Sequence, residues 1–169
     1  MMRYGVSSCS LGWLIAGWTP RGLCAIELGE SKEQLLALLH THFPDQTFDP
    51  AGPESDELLA RITRFIDEPT GTLDHPLAPE GTAFQRDVWK LLQTIPPGKT
   101  VSYSELANRL GRPKAVRAVA NACGANRLAV VIPCHRVIRT DGALGGYRWG
   151  IERKQTLLNR ESTLATNAS

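Results

Sequence analysis

Between positions 69 and 81 the chain carries Pro69, Gly71, Pro76, Pro79 and Gly81, a density of structure breakers that no regular helix or strand tolerates. A chain interrupted in this way folds as two pieces, so residues 1–79 and 80–169 are read as two domains. Charge follows the same division. Residues 1–84 hold 5 basic and 12 acidic side chains, net −7, whereas residues 85–169 hold 14 basic and 5 acidic, net +9; the +2 of the whole chain conceals both. With 42% hydrophobic and 21% charged residues in 169, there is material for packed cores, and a disordered chain is excluded. A basic half commonly meets nucleic acid.

The longest apolar stretch near the N-terminus, residues 11–18, is far shorter than the roughly 20 residues of a membrane-spanning helix. It also makes a poor signal peptide, because Arg3 alone precedes it and no small-residue cleavage site follows. Cys9, Cys24, Cys123 and Cys134 are widely spaced with no CxxC pair, so neither a zinc site nor a disulfide framework is expected. A soluble cytoplasmic protein with free thiols is the expectation, with Cys9, Cys24 and Cys123 acting as small buried hydrophobes.

In the first third, residues 3–7, 13–18 and 22–28 read as strands of a small antiparallel sheet, with a turn at Thr19-Pro20-Arg21-Gly22. Ser31 and Gln34 form a capping-box pattern before Leu35, Leu36, Leu38 and Leu39, and a second helix is expected over 56–66. No repeat or low-complexity segment is present.

Beyond the break, Thr82 can cap a helix with Phe84, Val88, Leu91, Leu92 and Ile95 on its apolar face, stopped by Pro96-Pro97-Gly98. Ser102 and Glu105 then open a short helix ending at Leu110-Gly111, and a further helix is expected over 114–123, with Pro113 in its first turn. Two short helices joined by a glycine-containing turn make a helix-turn-helix pattern. The second helix presents Lys114, Arg117, Ala118, Asn121 and Ala122 outward, with few side chains able to discriminate base edges. A smooth face flanked by cations fits a minor groove held through phosphates, although helix propensity and close packing account for the alanines equally well.

Residues 128–132 are continuously apolar and read as a buried strand that delivers Pro133-Cys134-His135-Arg136-Val137 to its end. Proline cannot donate to a ladder, so Cys134 sits where regular structure gives way. A cysteine followed by His135, with Arg136 and Arg139 close in sequence, is placed to be activated as a thiolate nucleophile. A Cys-His dipeptide does not by itself establish catalysis; its setting at a Pro-bounded strand end, in a basic half beside a helix-turn-helix, strengthens that reading.

The segment Ile132-Pro133-Cys134-His135-Arg136-Val137 resembles the reactive core of the O6-methylguanine-DNA methyltransferase (O6-alkylguanine-DNA alkyltransferase) family. Ser102-Tyr103, Arg117-Ala118-Val119, Asn126, Gly145-Gly146-Tyr147, Lys154 and Leu157-Leu158-Asn159-Arg160-Glu161 extend the likeness across residues 81–161. The resemblance implies an α/β fold plus a helical part: an N-terminal ribonuclease-H-like α/β domain and a C-terminal winged-helix-like domain with the helix-turn-helix. It implies stoichiometric, irreversible transfer of an alkyl group from O6-alkylguanine in DNA to Cys134, with O4-alkylthymine as a second candidate substrate.

The resemblance also assigns roles. Glu161 would orient His135, which would withdraw the Cys134 proton through a water, and Tyr103 would donate to the departing purine. The carbonyls of Cys134 and Val137 would accept from the guanine amino group, the Arg148 N–H would donate to O6, and Tyr147 would line the pocket, with Lys154 in the same binding set. Asn126 would tie the helix-turn-helix to the reactive loop. The damaged nucleotide would be flipped out through the minor groove, Arg117 filling its place, with Lys114, Ala118, Ala122 and Arg127 approaching the DNA. Double-stranded DNA is the expected partner of a monomer, with no cofactor, metal or membrane. In some bacterial adaptive-response proteins a related domain follows a metal-binding activator domain, and direct repair without transcriptional control is the expectation here. Three other readings compete: a binding module that recognises alkylguanine without removing it, a sequence-specific regulator with a redox cysteine, and a cysteine hydrolase.

Overall fold

A computed structural model describes residues 1–68 and 73–167, with side chains up to residue 163. Pro69 and Gly71 lie outside the described residues. The chain divides into two compact units, one formed by residues 1–79 and 127–131, the other by 80–126 and 132–169. Among the described residues no helix is long and apolar enough to cross a membrane.

The first unit is an α/β layer structure. Strands β1 (Met2–Cys9), β2 (Gly12–Thr19) and β3 (Gly22–Gly29) form an antiparallel meander, and β4 (Phe48–Pro50) adds to β1 in parallel, giving the mixed order β3-β2-β1-β4. The tight turns need Gly12 (φ 113°) and Gly22 (φ 138°), conformations that L side chains rarely adopt. Helix α1 (Lys32–His42) is capped by Ser31, whose hydroxyl accepts from the Gln34 N–H. It buries Leu35 and Leu39 against Met2, Ile15, Cys24 and Ala25 of the sheet. Helix α2 (Asp56–Asp67) covers the other face, where a Cβ on Gly5 would stand 2.8 Å from Leu59.

All eight residues of β3 are buried, because its outer edge is also paired. Leu23 donates to the Pro76 carbonyl and Ile26 to that of Arg127, while Ala129 donates back to Ile26. Here the expected strand over 128–132 is corrected: pairing is confined to one bridge, Ile26 with Leu128, and the chain then turns through Val130 at φ 69°. The residues are buried as expected, Val131 excepted, but the apolar run fills a core corner rather than extending a ladder. Apolar continuity reports burial, and burial does not require a strand.

In the second unit, α3 (Ala83–Leu92) opens with the full Thr82–Gln85 capping box. Its buried residues are Val88, Trp89 and Leu92, continued by Ile95, while Phe84 and Leu91 are half-buried. The apolar face is thus rotated toward Trp89, whose indole N–H donates to the Ala122 carbonyl at 2.9 Å and docks α3 on α5. Strand β5 (Val101–Ser102) runs into α4 (Tyr103–Arg109), and a turn through Gly111 (φ 73°) leads to α5 (Val116–Gly124). The expected start of the latter at 114 is corrected: Pro113 and Lys114 form a turn before it. A short 3-10 turn, Cys134–Arg136, runs into β6 (Val137–Ile138), which pairs in parallel with β5; α6 (Ile151–Asn167) closes the described chain.

Candidate active site

Three elements of the second unit converge on Cys134. The β5–β6 pair joins Ser102 to Ile138, which carries Tyr103, the first residue of α4, beside the reactive turn. Asn126 follows α5 and is 1% exposed; its amide donates to the Ile132 carbonyl at 2.9 Å and to Cys134 Sγ at 3.3 Å. Helix α6 supplies Lys154 and Glu161, at 0% and 1% exposure.

His135 is fully buried, and its Nε2 lies 3.0 and 3.1 Å from the two Glu161 oxygens. Arg136 clamps the same carboxylate, with Nε and Nη2 each 2.8 Å from an oxygen, and its third nitrogen donates to the Ile95 carbonyl. Burial alone would raise the Glu161 carboxyl, but the hydrogen bonds from Arg136 and His135 outweigh it and hold the group below its ordinary range. Burial, chiefly, lowers the His135 imidazole, so the ring is neutral at pH 7. A neutral ring whose Nε2–H donates to Glu161 leaves Nδ1 with a lone pair, and that buried atom has no hydrogen-bond partner among the described residues.

Cys134 is 6% exposed, and burial pushes its thiol up to about 11 against the pull of the Asn126 hydrogen bond and the Lys154 and Arg148 charges. The expectation that Arg136 and Arg139 favour the thiolate is therefore corrected. Arg136 is spent on Glu161, and Arg139 pairs with Asp141 at the surface. Cys134 rests as a thiol and needs a base at the moment of reaction.

Tyr103 is half-buried, its phenol raised to about 12 by burial and by Cys123 and Cys134, so it stays a proton donor. Tyr147 is packed edge-on between His135 (6.4 Å) and Trp149 (5.3 Å). Lys154, expected among the substrate contacts, is occupied otherwise: its ammonium donates to the carbonyls of Val137, Leu144 and Gly146 and ties together the loop between β6 and α6. The Val137 carbonyl is thus already engaged on one lone pair.

A cavity of about 230 Å³ opens above the thiol, lined by Tyr103, Cys123, Gly124, Cys134, Tyr147 and Arg148 among others. Sequence reasoning gave Cys123 no place in the site, because a buried helical cysteine carries no signal beyond its size. Beside it runs a groove of about 820 Å³ with Tyr103, Arg117, Ala120, Asn121, Arg139 and Asp141 on its walls. Arg117, Ala118 and Lys114 are exposed as expected. Ala122 is not: at 1% exposure it faces α3, because α5 turns the Val119-Ala122-Cys123 side inward. Arg127 is placed in the other unit, where its carbonyl accepts from Ile26.

Residues 83–163 match the family model described as 6-O-methylguanine DNA methyltransferase, DNA binding domain. The regulatory protein Ada of Salmonella typhimurium is 49% identical over 161 residues, covering 95% of this chain and 46% of that protein, so the chain spans about half the length of that relative. A methylated-DNA--protein-cysteine methyltransferase of Shigella flexneri is 39% identical over 144 residues, covering 84% of each chain. The crystal structure of Mycobacterium tuberculosis OGT in complex with DNA superposes with a TM-score of 0.77 at 34% identity, over 95% of this chain and 93% of that one. A shared α/β fold and this identity across most of both chains place the protein in the methylated-DNA--protein-cysteine methyltransferase family.

Proposed function

We propose that the chain repairs DNA by moving the alkyl group of O6-alkylguanine onto Cys134, once per molecule. The observation that carries this reading is Cys134 in the wall of a cavity beside an exposed arginine-bearing helix, followed in the chain by the buried, mutually bonded His135, Glu161 and Arg136. At about 11, roughly one thiol in ten thousand is ionised at pH 7, so proton removal must accompany attack. His135 Nδ1 takes that proton through a bridging water, and Glu161, itself clamped by Arg136, stabilises the imidazolium. The Cys134 sulfur attacks the alkyl carbon in line, the C–O6 bond breaks, and guanine leaves with a proton from Tyr103. A thioether is not displaced under physiological conditions, so turnover ends there.

DNA is the partner, and the relative solved with DNA supports this. The damaged base leaves the duplex through the minor groove, and Arg117 fills the gap. Asn126 couples the helix-turn-helix to the thiol, while the Cys134 and Val137 carbonyls and the Arg148 N–H hold the guanine. Lys114 and Ala118 approach the phosphates, with Arg127 as a further candidate. We read the N-terminal domain, residues 1–79, as ribonuclease-H-like and residues 80–169 as winged-helix-like, the β5–β6 pair serving as the small sheet. The protein acts as a cytoplasmic monomer.

Intact-mass measurement after incubation with duplex containing O6-methylguanine tests the reading. One added methyl group, mapped to Cys134 and absent from Cys134→Ser, is expected; an unchanged wild-type mass rejects it.

A further inference from the structure

The groove beside the cavity is lined by Arg117 and Asn121 of α5 and by the turn Arg139-Thr140-Asp141. The backbone of that turn is tightly held. Arg139 N–H donates to the Ala143 carbonyl and Gly142 N–H to the Arg139 carbonyl, each at 2.9 Å, with Gly142 at φ 88°. Asp141 Oδ1 accepts from the Ala143 N–H at 3.0 Å. The hydroxyls of Thr140 and Ser104, the second residue of α4, lie 2.8 Å apart and tie the turn to the helix-turn-helix. On this fixed frame Arg139 Nη2 donates to Asp141 Oδ2 at 2.8 Å, between side chains that are 59% and 56% exposed. An ion pair so open contributes little, because water solvates both ends. Arg139 is therefore free to exchange its partner, unlike the buried Arg136 with its shared carboxylate. Among the described residues lining the groove, Asp141 is the only carboxylate, while Arg117 and Arg139 bring positive charge.

We propose that Arg139 and Asp141 form an electrostatic latch on this groove: a phosphate of duplex DNA takes Arg139 from Asp141, and the carboxylate left beside that phosphate holds down the affinity for duplex. The inference rests on DNA as the partner, as read above, and adds a residue whose task is to weaken binding. A guanidinium pairs with a phosphate as readily as with a carboxylate, and a duplex offers phosphates in rows. A contact of this kind carries no sequence information, so it forms on damaged and undamaged duplex alike. A lesion adds the free energy of its base seated in the cavity, and only that addition separates it from the surrounding DNA. A protein that reacts once gains nothing from long residence on intact sites. Asp141 subtracts from the contact common to all duplexes and leaves the lesion's own share untouched, which shortens the stay on intact DNA.

The test is equilibrium binding to an undamaged duplex across a range of salt concentrations. Asp141→Asn keeps an oxygen for the Ala143 N–H and should bind about fivefold tighter, the upper scale of an exposed ion pair. Arg139→Gln should bind about fivefold more weakly and lower the salt slope by about one. In the double variant the gain from Asp141→Asn should shrink below about twofold, because the cation it releases is gone. Glu105→Gln controls for net charge: Glu105 forms an equally open pair with Arg109 on α4, outside the groove, and its loss should alter affinity by less than about twofold. Transfer from O6-methylguanine duplex should also be slowed more in Asp141→Asn than in the wild type by a large excess of undamaged duplex. Unchanged or weaker binding by Asp141→Asn overturns the latch. So does an equal gain in Glu105→Gln or in the background of Arg139→Gln, either of which assigns the effect to net charge. A wild type that binds no duplex even at low salt overturns the DNA reading itself, and the latch with it.

Discussion

Each unit of the protein buries one glutamate against one histidine. In the first, Glu27 of β3 is fully buried and its Oε2 lies 2.8 Å from Nδ1 of His42, the last residue of α1. In the second, Glu161 of α6 lies 3.0 Å from Nε2 of His135. The contacts are nearly the same length, yet the surroundings divide them. His42 retains 11% exposure at a helix end, and its pair ties α1 to the sheet it covers. His135 has 0% exposure; Arg136 shares its carboxylate, and a thiol precedes it in the chain. A carboxylate–imidazole pair is therefore not a catalytic signature. What converts it is a second ring nitrogen left unpartnered beside a nucleophile that cannot ionise alone.

The widest separation between the pairs should come from the histidines. His135→Asn removes the base while keeping a polar side chain, and the single-turnover rate of methyl transfer should fall by about 10² to 10⁴. His42→Asn should leave that rate within about twofold. Comparable losses from both would mean that His135 acts through packing. Stability should divide the glutamates less widely. Glu161→Gln leaves the buried Arg136 without its counter-ion, at a cost of about 3–5 kcal/mol in urea unfolding, whereas Glu27→Gln removes one hydrogen bond to an imidazole and should cost about 1–3 kcal/mol. Equal losses would show that Arg136 finds another partner.

How much of this was legible in the sequence depends on whether the determining contact is local. The three strands of the meander, the Ser31 and Thr82 caps and both helices of the helix-turn-helix follow from turn residues, capping residues and apolar spacing within a few positions. Cys134 and His135 follow from a Cys-His pair at a proline-bounded break, Tyr103 and Glu161 from the family resemblance, and the structure brings them together. What escaped is set by distant neighbours. The run 128–132 has a strand's composition, but the edge of β3 accepts it at Ile26 alone. Trp89 is buried because α5 offers a carbonyl to its indole, which no periodicity within α3 reveals. Arg136 and Lys154 read as cations available to the site, yet Glu161, 25 positions away from the former, and three loop carbonyls claim them. Adjacency in sequence gives a charge's neighbourhood and not its partner.

Acidity sharpens the comparison further. Because burial lowers the His135 imidazole, the ring still accepts a proton at pH 7 and loses that capacity as pH falls through a value below the ordinary 6.5. The rate of alkyl transfer should then fall about tenfold per pH unit on the acid side and stay flat from there up to about 11, where Cys134 ionises unaided. In His135→Asn the flat region should vanish and the rate climb continuously toward about 11. A profile of the same shape in both proteins would remove His135 from the proton path. In His42→Asn the wild-type shape should persist, since no thiol depends on that ring.

The smallest effect expected is the most direct check on what makes the second pair different. Tyr147 stands edge-on to His135, and its hydroxyl, like His135 Nδ1, is buried without a hydrogen-bond partner among the described residues. A buried polar group left unsatisfied costs about 1–3 kcal/mol. Tyr147→Phe deletes one of the two without changing the ring that packs on His135 and Trp149. If the hydroxyl serves only as buried surface, the variant should gain up to about 1 kcal/mol of stability in urea unfolding and transfer methyl groups at the wild-type rate. A loss of stability together with a slower rate and an acid limb displaced from that of the wild type would instead place the hydroxyl on the water that links Cys134 to His135. The unit that holds the Glu27–His42 pair gives the baseline: Tyr4→Phe, an aromatic hydroxyl change in that unit, should alter neither rate nor pH profile.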